Sequence, residues 1–308
     1  MKRIEETRWM MCSAFGVAIM LASINATIAD AQSPIDVQRA AAQGEYLRAM
    51  VRFDTLPKRK ITTDATIAVA RSAWALSLPE RAAQELDTVL RGTDLTPVER
   101  TRALLSRGII ELQENRQQLA TMFAEQAVAT AGNNGALRAR AYLLWGQALS
   151  ETKALGAAEE KLKLAVVGAD SEDSISAHFM LAECQLLLGK PTDARQNYQA
   201  VPINHEHAPG AIRGLAEVAL QLGESNTVEF WLNKGREVYP DRFLDSWVDF
   251  ALLEAAVKQN DPVKAIAVQV SANNKYPPSD QWLTLLNATA EGFAWNNATF
   301  TSTHIAKR

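Results

Sequence analysis

A small residue recurs along this chain at nearly constant spacing, and each time it opens an apolar helical stripe. The positions are Ala49, Ala83, Ala120, Ala158, Ala194, Val228 and Ala265, with intervals of 34, 37, 38, 36, 34 and 37 residues. A period of that size is one supersecondary unit repeated in tandem. Such a unit cannot bury its apolar face alone, so each copy stacks on its neighbours. The small residue marks a place where two helices approach closely and a larger side chain would collide.

The units are clearest between residues 139 and 240. Tyr142, Trp145, Gly146 and Leu149 fall at i, i+3, i+4 and i+7, one face of a first helix. A break near Ala154 leads to a second helix carrying Ala158, Leu162 and Ala165 on one face. Downstream, His178, Leu181 and Ala182 precede a Gly189-Lys190-Pro191 turn, followed by Ala194, Tyr198 and Val201. In the next copy, Ile212, Leu215, Ala216 and Ala219 precede Gly223, then Val228, Leu232 and Gly235, with Pro240 as the stop. The pattern predicts an all-α fold: an α-solenoid of about seven antiparallel helix pairs over residues 32–277. Residues 278–296, with Ser279 as N-cap and Trp282, Leu285, Leu286 and Phe293 on one face, read as a C-terminal capping helix. Residues 297–308 lack that periodicity and are expected to form a flexible tail.

These helix pairs resemble tetratricopeptide repeats. In that family the first helix takes a large residue, then Leu-Gly, then Tyr. The second takes a small residue, a large apolar one, another small residue and a closing Pro. The chain departs from the pattern in its longer units, in Arg71 where a small residue belongs, and in its few closing prolines. The resemblance implies a groove lined by first helices that holds a peptide or helical segment of a partner. Carried over by position, its residues are Leu105, Ile109, Leu112, Arg140, Leu143, Gln147, Phe179, Glu183, Arg213, Glu217, Val248 and Leu252. Chaperone-binding members use a lysine and asparagine clamp for a terminal carboxylate. Here Leu143/Gln147 and Phe179/Glu183 stand at those places, which disfavours that ligand.

Residues 1–31 differ from the rest. Lys2, Arg3 and Arg8 precede the apolar run of residues 9–24, and Ala29-Asp30-Ala31 forms a small-residue cleavage pattern before Gln32. This reads as a signal peptide and predicts a periplasmic protein. The alternative is an uncleaved signal anchor that tethers a structural module to the inner membrane. A net charge of −3 with no basic stripe gives no footprint for nucleic acid. After cleavage one cysteine is left, Cys184, in an apolar run, so it is expected to be a buried thiol.

No phosphate loop, dinucleotide fingerprint, nucleophile elbow or Cys-x-x-Cys occurs, and no cofactor is implied. The chain is therefore expected not to be an enzyme. His205 and His207 are the one candidate for metal chemistry; i and i+2 diverge on a helix, and on an extended link they would share a face but still need a third ligand. They are expected to be solvated side chains in the polar link between two pairs. Adjacent carboxylates such as Glu159-Glu160 are expected on solvated helix surface. The expected partners are protein or peptide segments of envelope proteins, bound by an adaptor in a secretion, pilus, motility or polysaccharide-export machine.

Overall fold

The structure, a computed structural model, describes residues 33–168 and 171–305. Residues 1–31, expected to be a signal peptide, lie outside them. All described regular structure is helical. Seven pairs follow one another: α1 (Pro34–Ala42) with α2 (Tyr46–Asp54), α3 (Thr63–Ala75) with α4 (Pro79–Leu90), α5 (Pro97–Gln113) with α6 (Gln117–Thr130), α7 (Gly135–Glu151) with α8 (Leu155–Gly168), α9 (Ser171–Leu187) with α10 (Pro191–Gln199), α11 (Ala208–Gln221) with α12 (Ser225–Val238), and α13 (Ser246–Lys258) with α14 (Pro262–Lys275). A last helix, α15 (Gln281–Ile305), follows. No helix among the described residues is long and apolar enough to cross a membrane.

One backbone device repeats in all seven pairs. The turn between the two helices holds a residue in the left-handed region: Gly44, Ser77, Asn115, Lys153, Gly189, Gly223 and Asn260, with φ from 55° to 77°. The following N–H then reaches back to a carbonyl five residues earlier, as in Glu45 to Ala40, Leu78 to Ala73 and Lys190 to Gln185. This is the Schellman closure, which satisfies an orphan carbonyl at the helix end. Five places beyond each left-handed residue lies a buried small side chain: Ala49, Ala82, Ala120, Ala158, Ala194, Val228 or Ala265. In the second pair the buried residue is Ala82, not Ala83. The same one-residue shift puts buried Ala70, not Arg71, at the small position of α3.

Helix starts follow local chemistry. Pro79, Pro97, Pro191 and Pro262 sit in first turns, where a missing N–H costs nothing. Thr96 and Glu99 form a reciprocal capping box on α5. The cap of α15 is Asp280, whose carboxylate accepts from Leu283 N–H at 2.9 Å, one residue past the expected Ser279. The helix also continues through the segment read as a tail, since no proline or glycine interrupts residues 296–305.

The chain forms two compact units, one ending at Ala148 and the other starting at Leu149, within α7. In the first, one core centres on Val37, Phe53, Val69 and Leu86, and another on Leu104, Leu105, Ala124 and Leu144. In the second, the cores gather Tyr198 with Leu215, Leu232 with Phe243, Val248 and Leu252, and Leu253 with Leu283 and Leu286. The expected repeat residues lie there: Ala158, Ala165, Ala182, Ala194, Ala216 and Leu232 are fully buried, and Gly146 is buried in α7. Tyr142 and Trp145 stack, with ring centroids 6.5 Å apart. Pro240 opens a 3-10 turn just after α12 ends.

Three carboxylates are buried as ionic hubs rather than solvated. Glu111 is held by Arg107 and Arg116. Glu159, expected on the surface, is buried and meets Lys163 at 2.8 Å and Lys190 at 2.6 Å. Hydrogen bonds from those lysines hold its pKa down at about 2 against the effect of burial. Asp249 accepts from Arg236 at 2.7 Å, Lys275 at 3.1 Å and the Tyr276 hydroxyl at 2.7 Å. Cys184 is buried as expected, its thiol donating to the Leu155 carbonyl at 3.1 Å.

Candidate partner-binding face

The left-handed turn residues give a common ruler for the first helices. Ten and six places before each lie Leu105/Ile109, Leu143/Gln147, Phe179/Glu183, Arg213/Glu217 and Phe250/Glu254. On this ruler the last expected pair, Val248 and Leu252, is two residues out of register. Both are core residues, and Phe250 and Glu254 take the half-exposed positions instead. Sequence alone left this hidden because residues 246–257 are apolar at almost every position. In the first unit, Leu105 and Leu112 are buried, Ile109 and Arg140 are exposed, and Leu143 and Gln147 are half-buried.

The second unit brings together a coherent face on α9, α11 and α13. Helix α11 packs directly against α9 and α13, so the three first helices lie side by side. Along α9 the face carries half-buried Phe179, then Glu183, then Leu187, which is 61% exposed. Along α11 it carries Arg213, Glu217 and Gln221, and along α13 Phe250, Glu254 and Lys258.

Two members of this face are built into the fold. Phe179 stacks on His207 with centroids 4.6 Å apart and planes within 4°, and tilts against Tyr198 at 6.1 Å. A Cβ at Gly210 would lie 2.8 Å from the Phe179 ring, so glycine lets α11 close onto it. Arg213 lies over the rings of Phe243 at 5.0 Å and Trp247 at 5.3 Å, while its guanidinium grips Asp245 and the Arg242 carbonyl. Its charge is therefore matched within the chain.

The histidine link is packed, not solvated. The His205 side chain is 8% exposed. Its Nδ1 accepts the His207 backbone N–H at 3.1 Å, which leaves Nε2 to donate to Glu172 at 2.9 Å. Burial, reinforced by neighbouring His205, lowers the pKa of His207. Both rings serve the joint between α10 and α11. Among the described residues no group of three or more His, Cys, Asp or Glu side chains is placed to hold a metal ion.

Glu183 and Glu217 differ from the three ionic hubs. Each presents surface to solvent, yet surrounding protein displaces enough water to raise its pKa, with desolvation the sole cause. Both charges also act with burial to push the Tyr198 hydroxyl pKa up.

No family model and no curated protein matches the sequence. Solved structures do. The C-terminal part of a TPR repeat-containing protein from Cytophaga hutchinsonii aligns with a TM-score of 0.59 at 14% identity, over 82% of this chain and 98% of that one. The fold is that of tetratricopeptide-repeat proteins. PilF of Pseudomonas aeruginosa is similar at a TM-score of 0.57 and 17% identity, over 73% of this chain and 96% of its own. PilW, a widely conserved type IV pilus biogenesis factor, aligns at 0.58 and 12% identity, over 73% and 97%. On the tetratricopeptide frame, the face on α9, α11 and α13 is the first-helix side of the array's second unit.

Proposed function

We propose that this chain is a non-catalytic adaptor that holds segments of partner proteins on its first-helix face, in the assembly of a bacterial envelope machine. One observation carries the reading. The face on α9, α11 and α13 leaves Leu187 and the carboxylates of Glu183, Glu217 and Glu254 open, whereas most other charged side chains of that unit are matched within the chain. An adaptor needs such an unmatched surface, and a fold of stacked helix pairs supplies a rigid one. The reading draws further support from the likeness to PilW, itself a pilus biogenesis factor. The signal-like residues 1–31 support export to the periplasm, with a mature start at Gln32.

A photoreactive residue at Leu187 or Gln221, both exposed at the ends of α9 and α11, tests this in intact cells. The expected result is capture of a defined envelope protein from these two sites and not from Val263, exposed on α14. No capture, or equal capture from Val263, would remove the reading. N-terminal sequencing of the mature chain separates a free periplasmic adaptor from an inner-membrane-tethered module.

A further inference from the structure

We propose that the face on α9, α11 and α13 docks a basic partner segment, its lysine or arginine side chains answering Glu183, Glu217 and Glu254 while apolar side chains meet Leu187 and Phe250. The inference rests on the adaptor reading and deepens it by giving the partner's chemistry.

Charge complementarity is the argument. The three carboxylates occupy the same place in three successive pairs, six residues before the left-handed turn residue. Among the described residues none of them has a hydrogen bond or an ion pair. Elsewhere in this unit acidic side chains find cations: Glu224 meets Arg195 at 2.8 Å, Glu229 meets Lys264, and Asp249 meets Arg236 and Lys275. The cations that lie four residues from a rung on the same helix are already engaged. Arg213 is held by Asp245, and Lys258 donates to the Leu220 carbonyl. Desolvation without a counter-charge raises the pKa of Glu183 and Glu217, so both carboxylates gain from an arriving cation.

The spacing restricts the partner. Neighbouring helix axes lie roughly 8–10 Å apart. An extended segment would match the rungs with a basic residue about every third position, and a helical one about every seventh. An acidic or neutral segment would leave the carboxylates more deeply desolvated and still unmatched, which disfavours it.

Fluorescence anisotropy of synthetic peptides on the purified chain tests this. Two apolar-rich probes carry lysine at every third or every seventh position, and their counterparts carry glutamate. The expected result is binding of a lysine probe that weakens with salt and falls about tenfold or more in the triple variant Glu183→Gln, Glu217→Gln, Glu254→Gln. The triple Glu→Lys variant should transfer preference to the glutamate probe. These changes lie on a solvent-facing surface, and circular dichroism checks that the variants are folded. Equal binding of both charges, an unchanged triple Gln variant, or binding of no probe would overturn the inference. Self-association abolished by the triple variant, seen by sedimentation, would also overturn it by making a second copy the occupant. The adaptor reading stands or falls separately, on capture from Leu187 and Gln221.

Discussion

Replacing Gly214 with alanine should destabilise the second unit by about 3 kcal/mol, although glycine-to-alanine changes inside helices usually stabilise. A Cβ at that position would fall inside 3.0 Å of three ring carbons of Tyr198. The ring cannot swing away. Tyr198 is buried in the cluster that holds Ala182, Leu186, Ala194, Ala211 and Leu215, with the Phe179 ring against it. Helix α11 would have to lift off α10, and a close-packed joint would open. Urea unfolding followed by circular dichroism measures the loss. Two controls isolate the cause. The same change at Gly292 in α15, where a Cβ meets nothing within 4 Å, should be neutral or stabilising by up to about 1 kcal/mol. Adding Tyr198→Leu to Gly214→Ala should recover part of the loss, because the shorter side chain vacates the contested space. A Gly214→Ala protein as stable as the parent would show that the joint is looser than its geometry.

Asp249→Asn should cost about 3 kcal/mol at neutral pH, the lower end for breaking a buried ion pair. Its carboxylate receives three donors, from Arg236, Lys275 and Tyr276. An amide offers one oxygen to them and turns its own N–H donors toward the rest. Arg236 and Lys275 are 34% and 48% exposed, so water can partly rehydrate them, which limits the damage. Burial alone would raise the Asp249 pKa, but the hydrogen bonds from Tyr276, Arg236 and Lys275 outweigh it and hold the group below its usual 3.8. A depressed carboxyl pKa stabilises the fold fully above the unfolded value. That contribution fades as pH falls from there through the lower folded value. The gap in urea midpoint between parent and Asp249→Asn should therefore be wide at pH 7 and narrow below pH 3.8. A gap that stays the same width would mean that the charge is not what holds α12, α13 and α14 together here.

Much of the architecture was legible in the sequence because burial leaves a periodic trace. The small residues at Ala120, Ala158, Ala194, Val228 and Ala265 mark their helix pairs without error. The errors came where that trace is degenerate. Ala82 and Ala83 are adjacent and equally small, and the turn before them is closed by Ser77, so no glycine marks the register. In α13 the apolar residues are too dense to show which face is buried, and two groove positions were misplaced into the core. Only three of the seven pair-closing turns use glycine at the left-handed position, so the shared turn is invisible in composition and plain in the backbone. Polar residues misled for a different reason. Beside Lys163 one turn on, Glu159 is met by Gln185 and Lys190, 26 and 31 residues away, and His205 by Glu172, 33 residues away, and such tertiary satisfaction leaves little local pattern. The acidic ladder could have been found in advance. Aligning the first helices on their turns sets Glu183, Glu217 and Glu254 in one column.

Cys184 gives the molecule a built-in clock. It is the sole cysteine beyond the apolar run of residues 9–24, it is fully buried, and burial raises its pKa, so a labelling reagent meets no available thiolate in the closed state. Modification then has to wait for α9 to part from the start of α8, where Leu155 holds the thiol. Where the reagent is concentrated enough for labelling to outpace reclosing, the rate at which the thiol is modified counts those openings one molecule at a time. It requires no engineered probe and reads the lifetime of one helix–helix seam rather than the stability of the whole chain.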